Sequence, residues 1–413
     1  MLAGKVLFRD IWFDKPPLTA AMYLLCGGHA GWPLRIVGAL YVLACCTIAW
    51  AFARRSWGEE AGLWAAGFLG FYLTFDLPSS VIPVASDLMM LPPHLAAVWM
   101  AREKRGFWSG ALAGLAFWIN PKGAIVAAVC VLWYPAGLLP ISAGFAAVSA
   151  VAAVWLWGAG SLTAYWEQVW VWGRLYAGST FVANPLWNGV IRTLNWAAFH
   201  SAAVVAAVGA PFSLNFLAWE ALALAGVATG LRFFPRYYFL LLAPVVMHAA
   251  RGKWVRWAAL LLVIPLVRFA PSYWTAATDH EWRDTAMDRE SRAVSAVVRE
   301  HARPGDTLFV WGYRPELYVY TRLVAGTRFL DSQPLTGVPA DRHLTQSEPV
   351  ETEAPARRRM EVAQTHPTFI VDGLGLYNPQ LALTNYPELR EWLAGYREEA
   401  RVSQMVIYRR LLP

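Results

Sequence analysis

The densest group of ionisable side chains lies close to the start of the chain, in Phe8-Arg9-Asp10-Ile11-Trp12-Phe13-Asp14-Lys15-Pro16-Pro17-Leu18. Two carboxylates and two cations fall within seven residues, just before an apolar run that continues to Leu25. Ionisable groups at a lipid boundary are costly unless paired or used. Asp10 and Asp14 are therefore candidate catalytic acids or bases, and Lys15 is a candidate phosphate ligand. The same stretch also reads as an ordinary juxtamembrane loop, with solvated aspartates, a Pro-Pro helix start and a lysine reaching for head groups. Asp87, in Val84-Ala85-Ser86-Asp87-Leu88, opens an apolar helix and serves either a site or the helix dipole. Lys122, in Asn120-Pro121-Lys122-Gly123, stands at a break between two short apolar segments. Arg232-Phe233-Phe234-Pro235-Arg236-Tyr237-Tyr238 brings guanidiniums and phenols together. There Arg236 and Tyr237 suit phosphate recognition as well as an interfacial anchor. Glu220 lies inside an apolar helix, where a buried acid needs a partner that the sequence does not name.

The elements that must position these groups are membrane helices. Hydrophobic residues make up 57% of the chain and charged residues 15%, against about 25% charged in soluble domains. Residues 1–271 hold 18 Lys+Arg and 9 Asp+Glu, whereas residues 272–413 hold 17 and 19. The first part has a bilayer composition and the second that of a water-soluble domain. The net charge of +7 is no nucleic-acid footprint, because the positive excess sits between apolar segments rather than in a basic stripe. Four cysteines (Cys26, Cys45, Cys46 and Cys130) all fall in apolar segments and read as small core hydrophobes. No Walker loop, dinucleotide fingerprint, nucleophile elbow or paired C-x-x-C is present, and the eight histidines lack metal-ligand spacing, so no metal site is expected.

A spanning helix needs about 20 mostly apolar residues. Ten segments qualify or nearly do: roughly 33–54, 60–77, 85–101, 107–120, 122–137, 139–159, 194–212, 215–232, 236–250 and 254–271. Arg54-Arg55, Arg102 with Lys104-Arg105, and Arg251-Lys253-Arg256 lie at alternate turns, which should face the cytoplasm. Residues 1–32, 76–87, 161–193, 231–236 and the tail from about 270 then share the outer face. The aromatic stretch 165–172 suits a membrane interface. In the tail, helices are expected over 281–301, 316–321, 351–365 and 387–396. Strands are expected over 307–311, 327–331, 368–371 and 404–409, with a polar loop at 333–350. The fold expected is a polytopic α-helical membrane protein of about ten transmembrane helices with a small C-terminal α/β domain. Its parts are an outer loop and interfacial helix (1–32), a transmembrane domain (33–271) and an extracytoplasmic α/β domain (272–413).

Gly4-Lys5-Val6-Leu7-Phe8-Arg9-Asp10 followed by Phe13-Asp14-Lys15-Pro16-Pro17-Leu18 resembles the first outer loop of the bacterial glycosyltransferase-C superfamily. Protein O-mannosyltransferases, lipid A aminoarabinose transferases and rhizobial core-sugar transferases belong to it. An acid before a (Lys/His)-Pro-Pro-Leu run is typical there, and Asp14 with Lys15 occupies that place. Gly31-Trp32-Pro33-Leu34-Arg35, Asp87, Gly114-Leu115-Ala116-Phe117 through Lys122-Gly123, and Phe234-Pro235-Arg236-Tyr237 are similar in order and setting. The resemblance implies sugar transfer from a polyprenyl-phosphate donor to a glycan, lipid or protein acceptor outside the bacterial cytoplasmic (inner) membrane. It implies Asp14, Asp10 and Asp87 as catalytic residues, and Lys15, Arg236, Tyr237 and Lys122 at the donor phosphate. The displacement would invert the anomeric carbon, with membrane lipids as surroundings and no nucleotide cofactor; assistance by a divalent cation stays open. The family's principal Asp-Glu pair follows a first helix upstream of the Pro-Pro-Leu motif. A further helix before Met1 is therefore expected, in keeping with an outer-face start, and loss of activity is the other reading. Two other classes compete: a transporter or flippase, and a non-catalytic scaffold whose tail binds a partner.

Overall fold

The computed structural model describes residues 1–2, 4–75, 85–180, 182–278, 283–340, 342 and 346–411, with only the backbone described at 276 and 283–285. The expected outer loop 76–87 therefore lies mostly outside the described residues. The chain forms two compact units. One is helical and comprises Lys15–Tyr165 and Val182–Trp274; the other comprises Met1–Asp14, Trp166–Phe181 and Thr275–Pro413.

The helical unit is built from α1 (Pro17–Leu24), α2 (Trp32–Trp57), α3 (Glu59–Thr74), α4 (Ser86–Met89), α5 (Leu91–Arg102), α6 (Gly106–Ile119), α7 (Gly123–Trp133), α8 (Leu138–Gly158), α9 (Pro185–Phe199), α10 (Ser201–Val208), α11 (Leu214–Ala228), α12 (Phe239–Ala249) and α13 (Val263–Thr278), joined by single turns. Proline in the first turn starts α2, and Arg54 and Arg55 complement its C-terminal dipole. Among the described residues, four helical stretches are long and apolar enough to cross a bilayer: Trp32–Trp57, Pro135–Gly158, Leu214–Leu231 and Val255–Thr275. Gly106–Ile119 and Gly123–Trp133 are apolar but shorter. The chain is thus a membrane-embedded helical protein, and several of the ten expected spans are shorter or broken helices. The expected span 194–212 is two helices, α9 and α10, that meet at His200. Asn184 caps α9 by accepting a hydrogen bond from the Trp187 amide (3.2 Å), and Pro185 follows it. That Asn-Pro start signal sets the boundary well before residue 194.

Small residues decide how the helices approach. Gly106, Gly110 and Gly114 recur every fourth residue along α6, which lies against α8. A Cβ on Gly110 would collide with the Ile141 carbonyl, and one on Gly144 with the Phe107 carbonyl. In lipid, where no hydrophobic force drives helices together, such backbone proximity supplies the van der Waals contact that does. Buried residues from α2 to α13 form one continuous core, including Cys45, Phe52, Tyr72, Val126, Trp219 and Met247. Cys26, Cys45 and Cys130 are buried, Cys46 is partly buried, and all four are unbridged.

The second unit is an α/β layer. Its sheet has the order β2-β1-β3-β5-β4, with β1 (Thr307–Trp311), β2 (Val324–Ala325), β3 (Phe369–Asp372), β4 (Tyr396–Val402) and β5 (Met405–Arg410). β1 runs parallel to β2 and β3; β5 is antiparallel to β3 and β4. α14 (Arg283–His301), α15 (Glu353–Ala363) and α16 (Pro387–Ala394) accompany it. Residues 327–331, expected as a strand, form none; the partner of β1 is the shorter 324–325. β4 was not anticipated because Tyr396-Arg397-Glu398-Glu399-Ala400-Arg401-Val402 is mostly charged, as an edge strand is. Gln333–Thr336, inside the expected polar loop, is a buried helical turn. The aromatic stretch also enters this unit: Trp172 joins a core with Trp12 and Phe329. The Gln168 amide bridges the Phe8 carbonyl (2.8 Å) and the Phe13 N–H (2.9 Å).

Candidate functional site

Four of the seven sequence-derived candidates converge in the helical unit, where α6 ends and α7 begins. Asn120 closes α6 in extended conformation, and its side-chain oxygen accepts a hydrogen bond from the Lys122 amide (3.1 Å). Pro121 and Gly123 complete the turn; a Cβ on Gly123 would collide with the backbone of Phe117, so only glycine lets α7 start there. The turn delivers Lys122 to Asp87: Nζ lies 3.3 Å from Oδ1. Asn120 Nδ2 also donates toward Asp87 Oδ1 (3.3 Å) and Ser86 Oγ (3.3 Å), tying the turn to α4. Ser86, Asp87 and Asn120 are all buried. Arg236, on the 3₁₀ turn Pro235–Tyr238 that precedes α12, places Nε 3.9 Å from Asp87 Oδ2. The ring of Tyr237 lies beneath Lys122, with Nζ 3.2 Å from its centroid.

Asp87 is one carboxylate facing two cations, and Lys15 lies within electrostatic range of Lys122. Lys15 is positioned by α1, whose Thr19 hydroxyl donates to the Ile119 carbonyl (2.7 Å) beside Asn120. Cations next to aromatic surface, with Arg236 partly open to its surroundings, suit an anion with a hydrocarbon portion. Among the described residues no three His, Cys, Asp or Glu side chains converge in a metal-holding group.

Asp10 and Asp14 belong to the α/β unit. Asp10 accepts two hydrogen bonds from Arg9 (2.9 and 3.0 Å) and one from the Val6 amide (2.8 Å). Arg9 and then the Val6 N–H hold its carboxyl down at about 2, which makes it a weak base. Asp14 is partly buried in a bend, directly after Trp12 and Phe13. The Trp12 N–H donates to the Arg328 carbonyl (2.7 Å), and the Phe13 N–H is held by Gln168. Sequence reading did not assign Ser86 and Asn120 to the site, although the Asn-Pro-Lys-Gly run signals a turn that aims the lysine. It also left Glu220 without a partner; the structure supplies His248, whose Nδ1 is 2.9 Å from Glu220 Oε1. That pair lies on α11 and near the far end of α12, apart from Arg236 at the start of α12.

No protein-family model and no curated protein matches the chain by sequence. By structure it is similar to ArnT from Cupriavidus metallidurans, solved bound to undecaprenyl phosphate. The TM-score is 0.56 at 13% sequence identity, over 97% of this chain and 88% of that one. The likeness is one of fold.

Proposed function

We propose that a chain with this architecture and this cluster is a membrane glycosyltransferase that takes its sugar from a polyprenyl-phosphate donor. The observation that carries the reading is the Asp87–Lys122–Arg236 group on Tyr237, in a fold similar to one solved with undecaprenyl phosphate bound. In this reading Lys122 and Arg236, with Lys15, hold the donor phosphate, and their charge strengthens as interaction partner when the phosphate departs. Asp87 aims both cations and offsets part of their repulsion. Asp14 receives the proton of the acceptor hydroxyl or amine as that atom bonds to the anomeric carbon. The bond from that carbon to the phosphate oxygen breaks, and the electron pair leaves with the lipid phosphate. Attack opposite the leaving group inverts the centre. Asp10 shapes the loop that carries Asp14. The acceptor is a lipid, glycan or protein on the outer side of a bacterial cytoplasmic membrane, the side on which the α/β unit then lies.

The test uses the full chain in proteoliposomes with a panel of undecaprenyl-phosphoryl sugars and cell-envelope acceptors, read by mass spectrometry for sugar gained and lipid phosphate released. Asp14→Asn and Lys122→Gln should be silent while remaining monodisperse and folded. Full transfer by both variants rejects the site. Counter-flow of the lipid across the bilayer without covalent transfer rejects the enzyme reading in favour of a flippase.

A further inference from the structure

A second cationic site lies at the other end of the helical unit. α5 and α12 both run from the Asp87–Arg236 cluster to that end, about 16–18 Å of helix each. They finish at Arg102 and at Ala249, just before Arg251. There, Trp57 at the end of α2 carries two guanidiniums over its ring, with Arg102 at 5.2 Å and Arg251 at 5.4 Å. The two feel each other's positive charge. Neighbouring arginines are neutralised: Arg54 by Glu59 (2.6 Å), Arg55 by Glu103 (2.9 Å) and Arg256 by Glu60 (2.9 Å). Neither Arg102 nor Arg251 has a carboxylate within ion-pair distance among the described residues, and Arg251 Nη1 is buried without a hydrogen-bond acceptor. Arg251, Lys253 and Arg256 line a cavity of about 690 Å³ together with Trp57, Trp64 and Trp257, and among the described residues Glu60 is its one carboxylate.

We propose that this cavity binds the phosphate group of an anionic membrane phospholipid, in the leaflet opposite the Asp87–Lys122 cluster. Surface cations that merely orient a helical bundle end in water or pair with carboxylates, as Arg54, Arg55 and Arg256 do. Arg251 instead shares the Trp57 indole with the exposed Arg102 and holds one guanidinium nitrogen buried without an acceptor, a cost that an anion in the cavity relieves. Lys253, exposed in the same lining, supplies a further donor beside Arg251. A lipid is favoured over a soluble anion because Trp257 (76% exposed) and Trp64 flank the cavity, and indoles settle at head-group level.

The experiment places the full chain in phosphatidylcholine nanodiscs doped with phosphatidylglycerol that bears a photoreactive head group. After irradiation, the labelled peptides are mapped. Labelling is expected on the segment around residues 250–257. Each cation lost from Arg251→Gln and Lys253→Gln should cut it about fivefold. Arg105→Gln, exposed at the same end but outside the cavity, should leave it unchanged. Because Arg251 is partly buried, Lys253→Gln alone and the charge-preserving Arg251→Lys keep the result readable if Arg251→Gln misfolds. The first should lose about fivefold and the second should retain most labelling. Labelling indifferent to these residues overturns the proposal, as does a label confined to the segments carrying Asp87 and Lys122. So does displacement by inorganic phosphate, which would identify a soluble anion.

Discussion

Asp87→Asn and Lys122→Gln should move phosphate affinity in opposite directions, although the two side chains form one ion pair. Asp87 Oδ1 is 3.3 Å from Lys122 Nζ, and Oδ2 is 3.9 Å from Arg236 Nε. A phosphate oxygen that accepts from either cation then comes within about 6 Å of the Asp87 carboxylate. At an effective dielectric constant near 20, unit charges at that separation repel by about 3 kcal/mol. Arg236 is 35% exposed at its side chain, so screening on that side reduces the figure to about 1–1.5 kcal/mol. Asp87→Asn should therefore tighten binding of undecaprenyl phosphate about tenfold, slow its release and lower turnover. Lys122→Gln removes a charge-assisted hydrogen bond of about 1.5–3 kcal/mol and should weaken binding about 10- to 150-fold. The assay is titration of each full-length variant in nanodiscs with undecaprenyl phosphate, with thermal unfolding recorded on the same samples. A purely structural ion pair gives another pattern: both variants bind less, in proportion to their loss of Tm. That outcome would refute the reasoning.

Gly110→Val forces a side chain into the Ile141 carbonyl and should cost at least about 2–3 kcal/mol, seen as a lowered unfolding temperature. Gly67→Ala, where an added Cβ meets nothing within 4 Å, should leave that temperature unchanged or raise it slightly. His248→Phe strips Glu220 of its partner inside the helical unit and should cost about 2–3 kcal/mol, whereas Glu220→Gln keeps a hydrogen bond and should cost less than half of that; equal losses in unfolding temperature would refute the importance of that hydrogen bond. Asp10 is held at about 2, below its ordinary 3.8. Its contribution to the order of residues 6–10 is complete above that ordinary value and disappears only as pH falls through about 2. Hydrogen exchange should accordingly find the Val6 amide still protected at pH about 3, and unprotected there in Asp10→Ala.

Much of the architecture was legible because its signals are local. Apolar run length marks helices irrespective of their neighbours, and the rise in charge density after residue 271 follows from composition alone. The misses share a cause in context. α9 starts at Asn184-Pro185, a capping signal that hydropathy overrides, and β4 is charged because an edge strand needs no apolar face. Residues 1–14 read as a membrane-side loop, yet Trp12 is core to the α/β unit through Phe329 and Arg328, contacts more than three hundred residues away in sequence.

The sequence by itself determined the residue types of the candidate site. A lysine beside Asn-Pro, an acid at a helix start and an arginine in an aromatic turn are costly in lipid and stand out for that reason. Only the tertiary structure decided that Asp87, Lys122, Arg236 and Tyr237 form one cluster, whereas Asp10 is held by its near neighbours Arg9 and Val6. Nothing in their spacing encodes it. The meeting depends on where α4, the α6–α7 turn and the turn before α12 come together, and that is set by helix packing through glycines and small residues far from the charges.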